Sequence, residues 1–183
     1  AALYPPAHPY HWMTIGAAAD IRAARLDDVR AFFQTYYRPR NASLALAGDI
    51  DRDRALALAA AYFGDLEPGP EPPPVEARVT PLSGEARLIL EDRIELPRLY
   101  LAWHSPALFA EDDAELDLVS EVLAGGKTSR LYRSLVYEQR LATEVAASQG
   151  SRELGSFFQI VATAAPGHTL AEVERAIARE LAR

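Results

Sequence analysis

The sequence lacks cysteine, has a single lysine (Lys127) and contains no long hydrophobic run. Without cysteine there are no disulfide bonds and no thiolate metal sites, a composition found in both the reducing cytoplasm and the oxidising periplasm. No apolar run approaches the roughly 20 residues that cross a bilayer, so we expect no membrane-spanning segment. Residues 1–6 include neither an initiator Met nor a basic stretch before an apolar one, and we expect the natural N-terminus to lie upstream.

The composition is otherwise that of a folded protein. Hydrophobic residues make up 49% and charged residues 25% of the 183 positions, enough for a sizeable core in one domain or two small ones. The formal net charge of -7 repels phosphate backbones at long range, so nucleic acid is not expected as a partner. The excess of Arg over Lys, with frequent Ala and Pro, indicates a GC-rich bacterial source. We therefore expect a soluble bacterial protein of the cytoplasm or the periplasm.

The first third of the chain predicts two helices and one strand. Apolar residues recur at helical spacing over residues 29–37 and stop before Pro39, which predicts a helix. Residues 41–47 predict a short strand, and Asp51 or Asp53 begins the second helix. A single strand cannot satisfy its backbone donors and acceptors. We expect its sheet to be completed by upstream sequence, by a partner molecule or by the edge of a second sheet in this chain.

A proline-rich stretch divides the chain. Residues 66–74 contain five prolines and cannot sustain a helix or a central strand. Such a run favours an extended polyproline conformation, which spaces two bodies semi-rigidly. We therefore predict a linker at residues 66–84 between two segments, residues 1–65 and residues 85–183.

The second segment predicts a sheet with three helices in the order ββααββα. Its strands show alternation or β-rich composition, and its helices show apolar stripes with recognisable caps. The predicted elements are strands over residues 86–91 and 98–104, a helix over 111–124, a helix capped by Ser129, strands over 143–149 and 156–164, and a helix capped by Thr169.

The four histidines are the candidate metal ligands. His8 and His11 lie three residues apart in an aromatic loop, and such a pair in principle shares a metal ion. Zinc needs three or four ligands, and no Cys, Asp or Glu lies within five residues of this pair. The alternative is a loop held by packing, with both rings hydrogen-bonded or exposed. We predict no metal site in this chain, and structural roles for His104 at a strand end and His168 in a turn.

Two other clusters resemble ligand sites. Glu111, Asp112, Asp113 and Glu115 occupy a predicted helix start, where the helix dipole stabilises negative charge without a ligand. Residues 125–128 have the Gly, Lys and Thr of a phosphate-binding loop, but Glu stands at position 121, where its first glycine belongs. The motifs H-E-x-x-H, H-x-x-E-H and G-x-S-x-G are all absent. We therefore assign no catalytic residue to this chain.

Several phrases resemble the M16 family of zinc metallopeptidases, the pitrilysin, insulinase and mitochondrial processing peptidase group. The resemblance covers nearly the whole chain, and the order of the phrases is more specific than any one of them. The second segment is similar to the inactive peptidase domain of the family. The phrases are His8-Pro9-Tyr10-His11 followed by Ile15-Gly16, Asp-Asp-Val-Arg-Ala-Phe-Phe at 27–33, Tyr-Tyr-Arg-Pro-Arg-Asn-Ala at 36–42, Ala-Gly-Asp at 47–49, Val-Leu-Ala-Gly-Gly-Lys-Thr-Ser-Arg-Leu-Tyr at 122–132, and Leu135 with Glu-Gln-Arg-Leu-Ala at 138–142.

This resemblance implies an α+β fold of the LuxS/MPP-like metallohydrolase type, in which a sheet is backed by helices and two domains face each other across a chamber. Residues 1–65 would be the C-terminal part of the first, zinc-side domain, and residues 85–183 the start of the second, inactive domain. The zinc ligands of the family, two His and a Glu, and its general-base Glu would lie before Ala1. Zinc is thus expected in the full-length parent and not in this chain.

The family also places an Arg and, seven residues later, a Tyr in the facing half, where they hold the substrate backbone and oxyanion. At the matching positions this sequence has Val136 and Thr143, so the pair is absent. The departure implies that contacts of this kind come from another domain or a partner chain, as in two-subunit members. We leave the substrate-binding residues of this chain unassigned.

Three functions follow from these observations. The first is a non-catalytic portion of a zinc endopeptidase, serving as chamber wall, peptide-binding surface and structural domain, whose parent hydrolyses peptides by metal-activated water. Its partners would be unfolded peptide, the upstream catalytic half, and a second M16-type subunit or a homodimer. The second is a zinc-free scaffold or partner subunit. The third is an unrelated α+β domain that binds a small molecule in a pocket around Tyr10 and Trp12.

Overall fold

The computed structural model describes residues 2–75, 77 and 79–183, which form two compact units. The sheet unit comprises residues 1–12 and 77–183, and the helical unit comprises residues 13–76. This division differs at the N-terminus from the segments expected from the sequence, because residues 1–12 belong with the second segment. None of the helices in the described part of the chain is long and apolar enough to cross a bilayer.

The helical unit contains three helices: α1 (Ala18–Ala23), α2 (Leu26–Tyr36) and α3 (Arg52–Phe63). The Asp28 carboxylate accepts from the N–H of Arg25 at 2.8 Å at the start of α2, which satisfies a donor left free by the helix geometry. The Asp51 carboxylate accepts from the N–H of Arg54 at 2.8 Å and caps α3. A short 3-10 turn, Pro39–Asn41, follows α2. Both helices predicted from the sequence are confirmed.

The strand predicted at residues 41–47 is absent. Ala42 has extended backbone angles, with φ -127° and ψ 145°, but residues 42–47 belong to no strand. The physical reason is that extended backbone becomes a strand only when a neighbour accepts and donates its hydrogen bonds. Among the described residues, the sheet contains only strands of the sheet unit, and residues 42–47 take part in none of its strand pairings.

The sheet unit is built on three antiparallel strands in the order β1-β3-β2. Its elements are β1 (Arg98–Ser105), α4 (Asp113–Ala124), a π-helix (Tyr132–Glu138), β2 (Ala142–Gly150), β3 (Ser156–Ala164) and α5 (Leu170–Leu181). The strands predicted at 98–104, 143–149 and 156–164 are confirmed, as are the helix at 111–124 and the cap by Thr169, whose Oγ1 accepts from the N–H of Glu172 at 3.3 Å.

One expectation for this segment is wrong, and one confirmed helix has an unexpected winding. The strand predicted at residues 86–91 is absent, so the observed order is βααββα. Within this stretch Leu88, Ile89 and Leu90 are 71%, 84% and 89% exposed, and apolar side chains that meet no partner do not fix a strand in register. The helix after Ser129 is present but wound as a π-helix, in which the N–H of Gln139 bonds to the carbonyl of Ser134 at 2.9 Å.

The core lies between one face of the sheet and the helices. Leu131 and Leu135, next to and within the π-helix, and Val173 and Ile177 of α5 are each 0% exposed. They pack against Ile160 of β3 in one continuous cluster. Burying each such side chain is worth about 1.5–3 kcal/mol. The hydrophobic effect therefore fixes which face of the sheet the helices cover and leaves the opposite face uncovered by them.

Candidate functional site

The candidate functional site is the face of the sheet opposite the core, which we call the open face. Because side chains alternate across a strand, the residues that alternate with core positions Leu99, Leu101, Phe158, Ile160 and Ala162 belong to it. The registered cross-strand rows of the open face are Arg98, Thr163 and Glu144; Tyr100, Val161 and Ala146; Ala102, Gln159 and Ser148; and His104, Phe157 and Gly150. These rows form a shallow wall of mixed polar and apolar side chains.

One end of this wall is accessible. Tyr100 is 64% exposed and stands beside Val161 in the register. At the same end the guanidinium of Arg98 donates from Nε to Oγ1 of Thr163 at 3.1 Å, and it lies 4.0 Å from the Glu144 carboxylate. This end of the wall therefore combines an exposed aromatic ring with an adjacent guanidinium and carboxylate.

The other end of the wall is covered by an aromatic loop, residues 3–12, of the same unit. The Tyr4 hydroxyl donates to the carbonyl oxygens of Gly155 and Ser156, at 3.1 Å and 3.2 Å. The His104 Nε2–H donates to the carbonyl of Leu3 at 2.6 Å. Tyr4 is 5% exposed, and this burial raises the pKa of its hydroxyl, while the charge of Arg152 acts in the opposite direction. The loop is thus fixed to the end of β1 and the start of β3.

Arg152 joins the aromatic loop to the sheet. Its guanidinium carbon lies 5.2 Å from the ring centroid of Tyr10 and 5.2 Å from that of Phe157, so one cation contacts two aromatic rings. The N–H of Leu154 donates to the Tyr10 hydroxyl at 3.2 Å. Phe157 in turn packs over Gly150, where an added Cβ would lie 2.9 Å from the ring. A Cβ at position 150 would therefore displace the Phe157 ring from its present position.

The histidines do not fit a zinc ion. The His8 Nδ1 accepts from the N–H of Tyr10 at 3.1 Å, and the His11 Nδ1–H donates to the carbonyl of Tyr4 at 2.7 Å. His104 is engaged with Leu3 as described, and His168 lies 3.8 Å from the Glu172 carboxylate. Among the described residues, no three His, Asp or Glu side chains lie close enough together to hold a metal ion. The rings of His8, His11 and His104 act as hydrogen-bonding groups that shape the aromatic loop.

The acidic run at the start of α4 contains one residue that the sequence reasoning did not single out. Glu111, Asp112 and Glu115 are exposed, but Asp113 is only 5% exposed, so the expectation of a solvated helix start is wrong for it. Its carboxylate accepts from Oγ of Ser151 at 2.7 Å, the Gln149 amide at 3.0 Å and the Phe109 N–H at 3.0 Å. These bonds, led by that of Ser151, hold the pKa of the Asp113 carboxyl below its ordinary value.

The phosphate-loop resemblance at residues 125–128 corresponds to a turn. Gly125 ends α4 with its N–H bonded to the carbonyl of Glu121 at 2.8 Å, and the N–H of Ser129 bonds to the carbonyl of Gly126 at 3.0 Å. The element before the turn is a helix, whereas a phosphate-binding loop follows a strand. The turn therefore joins two helices.

The two positions that match the substrate-contacting Arg and Tyr of the resembled family lie in different elements. Val136 belongs to the π-helix and is half-buried, and it packs against the core. Thr143 is exposed at an irregularity of β2 between Ala142 and Glu144, and its hydroxyl donates to the carbonyl of Thr163 at 3.4 Å. Neither side chain carries a charge or a phenol, so neither stabilises an oxyanion in the manner of that pair.

Two grooves lie on the helix side of the sheet unit. One, of about 310 Å³, is apolar and is lined by Trp103, Leu116, Val119 and Leu181 among others. The other, of about 400 Å³, is lined by Arg130, Arg133, Ser134, Glu138, Glu180 and Arg183. Neither groove includes Tyr10 or Trp12, the residues around which a small-molecule pocket was considered. The apolar groove lies between β1, β3, α4 and α5 and includes His104 of the last open-face row, whereas the other groove lies between the π-helix and α5.

The architecture defines a class: an α+β domain in which a small antiparallel sheet carries helices on one face and an open wall on the other. A family model described as the Peptidase M16 inactive domain matches residues 23–183. The chain belongs to the M16 family of zinc metallopeptidases and comprises its inactive-domain region. This agrees with the resemblance drawn from the sequence and confirms the α+β fold expected from it.

Individual relatives are consistent with this assignment. The chain is 30% identical over 162 residues to zinc protease PqqE of Helicobacter pylori, covering 87% of this chain and 36% of that protein. Its structure matches that of a protease from Helicobacter pylori with a TM-score of 0.75 at 28% identity, covering 96% of this chain and 43% of the other. It also shares the fold of an M16 inactive domain from Pseudomonas fluorescens, with a TM-score of 0.76 at 22% identity over 99% of this chain and 44% of the other. The chain thus spans less than half the length of these relatives.

Proposed function

We propose that this chain is the non-catalytic portion of a zinc-dependent endopeptidase, in which the open face forms part of the wall of a peptide-binding chamber. The observation that carries the proposal is the one-sided sheet. Helices pack on its core face, while the opposite face presents Tyr100 at 64% exposure. A wall of this kind contacts an unfolded peptide without itself supplying a nucleophile or a metal ligand.

The helical unit fits the role of the closing part of a zinc-side domain. In this proposal residues 1–65 belong to that domain in sequence, although residues 1–12 pack with the sheet unit, and residues 66–84 link it to the second domain. Its helices carry apolar side chains with no cover: Phe32 and Phe33 are 51% and 50% exposed, and Leu56 is 58% exposed. Exposed apolar area of this extent indicates a surface that another protein segment covers. We propose that the segment covering this surface is the catalytic half of the parent.

Zinc belongs to that catalytic half in this proposal. Its chemistry would be the activation of water for attack on a peptide carbonyl, and the histidines described here take no part in it. The relative from Helicobacter pylori is named a zinc protease, which supports a zinc-containing parent. The partners of the chain are then unfolded peptide and the catalytic half.

A second candidate is a zinc-free scaffold or partner subunit related to M16 peptidases. The observation that favours it is the pair Val136 and Thr143, which lack the charge and phenol of the family's substrate-contacting residues. A chain without them needs a second M16-type subunit, or a second copy of its own parent, to contact the substrate backbone and oxyanion.

The experiment that separates the two candidates measures bound zinc and cleavage of an unstructured peptide by the longer natural protein, with the 183-residue chain assayed beside it. We expect chelator-sensitive cleavage by the long protein and none by the 183-residue chain. A long protein without zinc and without activity would refute the peptidase proposal in favour of the scaffold. Cleavage by the 183-residue chain would overturn both.

A further inference from the structure

We propose that the aromatic loop, residues 3–12, is a clasp that ties the chain preceding the helical unit to the second domain and sets the end of the peptide-contacting wall. The peptide-contacting role of the wall rests on the proposed function, whereas the clasp itself rests on the contacts of the loop. The clasp closes on the loop between β2 and β3, residues 151–155, which we call the acceptor loop.

The clasp is joined to the acceptor loop by three types of contact. Tyr4 donates its hydroxyl hydrogen to Gly155 and Ser156, and Tyr10 accepts the N–H of Leu154 through its hydroxyl oxygen. Arg152 lies against the Tyr10 ring. Because Leu154 and Gly155 lie outside the strands, the clasp takes the place of water as the partner of their backbone groups.

The clasp is also held together by contacts among its own side chains. Tyr4 and His8 stack with ring centroids 4.7 Å apart and planes inclined by 25°, and Tyr10 meets Tyr4 edge-on at 5.6 Å. His8, at 3% exposure, holds the turn Pro9–His11 by accepting from the N–H of Tyr10. A loop pre-formed in this way loses less conformational entropy on docking than a free one.

The position of the clasp determines which rows of the open face remain accessible. His104 and Phe157 form the last row of the open face, and the Tyr4 ring lies 5.4 Å from the His104 ring. The clasp therefore covers that row and leaves the rows of Tyr100 and Ala102 for peptide. In the parent, the segment ahead of the clasp is held next to the wall by the same contacts.

The test uses hydrogen exchange at the backbone amide of Leu154 in the 183-residue chain. Tyr10→Phe removes only the acceptor oxygen, and Arg152→Gln removes the cation between the two rings. Tyr10→Phe is expected to speed exchange at this amide about three- to tenfold, the factor that corresponds to one net hydrogen bond of about 0.5–1.5 kcal/mol. Arg152→Gln is expected to speed it about two- to fivefold, the factor that corresponds to one exposed cation–π contact of about 0.5–1 kcal/mol. The matched controls are Tyr100→Phe, an exposed tyrosine on the same sheet, and Arg175→Gln on α5, and neither is expected to change the rate.

The amide of Ile160 in the central strand reports whether each variant is folded, since it is expected to keep its slow exchange throughout. A second readout is the rate of tryptic cleavage after Arg152, which should rise in Tyr10→Phe and not in Tyr100→Phe. Exchange at Leu154 that is equally fast in the unmodified chain and in Tyr10→Phe would overturn the clasp. This outcome is independent of peptidase activity, so it is distinguishable from failure of the proposed function.

Discussion

The helical unit and the sheet unit have similar apolar content but opposite relations to solvent. Within the described part of residues 13–76 no side chain is buried, although the segment contains Phe32, Phe33 and Tyr36 on one helix. In the sheet unit Leu131, Leu135 and Ile177 are fully buried. An amphipathic helix is stabilised when its apolar face packs against another element. Within the described residues, only the helices of the sheet unit bury that face against elements of their own unit.

The largest expected effect contrasts a buried with an exposed leucine. Leu131→Ala should lower the free energy of unfolding by about 2–5 kcal/mol, because it leaves a cavity in the core of the sheet unit. Leu56→Ala on α3 should change it by less than about 0.5 kcal/mol, because the side chain is 58% exposed. Urea unfolding followed by far-UV circular dichroism measures both. Equal losses would mean that the helical unit has a core of its own.

The next effect concerns association through the helical unit. The exposed rings of α2 should make the isolated chain self-associate at high concentration. Phe33→Gln should weaken this association roughly tenfold, since hiding half of a Phe side chain is worth about 1–1.5 kcal/mol. Arg30→Gln on the same helix is the control. Sedimentation velocity measures the association constant, and an unchanged value in Phe33→Gln would place the contact elsewhere.

A smaller effect, confined to the sheet unit, is the pH dependence given by Asp113. The pKa of Asp113 in the folded state lies below its ordinary value. The hydrogen bonds of its carboxylate therefore stabilise the fold at pH values above the ordinary pKa. This contribution is lost as pH falls through the folded-state pKa. Asp113→Asn should therefore lower the urea midpoint at pH 7, and its difference from the unmodified chain should shrink towards pH 3.

Asp117→Asn, an exposed position on the same helix, is the control for this measurement. It should leave the midpoint unchanged at both pH values. A difference between Asp113→Asn and the unmodified chain that stays constant from pH 7 to pH 3 would contradict the assignment of the effect to ionisation.

The smallest expected effect is at Arg87, which donates to Glu174 of α5 from Nη2 and Nη1 at 2.6 Å and 3.1 Å. The pair is on the surface, where solvent and salt screen the attraction and side-chain ordering opposes it. Arg87→Gln should shift the urea midpoint by less than Asp113→Asn does at pH 7. A shift that exceeds that of Leu131→Ala would mean that residues near 87 are packed as a strand after all.

The elements of the sheet unit were predictable from the sequence where an apolar pattern and the element that packs against it lie in the same segment. The alternation over residues 98–104 predicts β1 because its apolar side chains meet α5 and β3 in this unit. The apolar residues at 41–47 and 86–91 carry a similar signal but no strand, since pairing depends on a neighbour that a single-sequence pattern does not contain. The Thr169 cap was predictable because it is a local contact between two residues three positions apart in the sequence.

The candidate site was less predictable than the fold. The expectation that His8 and His11 belong to a packed loop matches the hydrogen bonds of both rings. The docking of that loop on residues 151–155 was missed, because Tyr10 and Leu154 are distant in sequence and no periodicity relates them. Asp113 was missed for the same reason, since Gln149 and Ser151 lie across the sheet unit. The available signal was a carboxylate flanked by exposed acids at a helix start, and this pattern does not reveal which of them is buried.

The most direct test compares hydrogen exchange of α2 and α3 in the 183-residue chain with exchange of the same helices in the longer natural protein. Isolated helices of this length are marginal in water, so we expect fast exchange in the 183-residue chain and strong protection in the longer protein. The amides of β3 should be slow in both. Equal protection of α2 and α3 in the two proteins would contradict the account, because it would show that no further segment covers the helical unit.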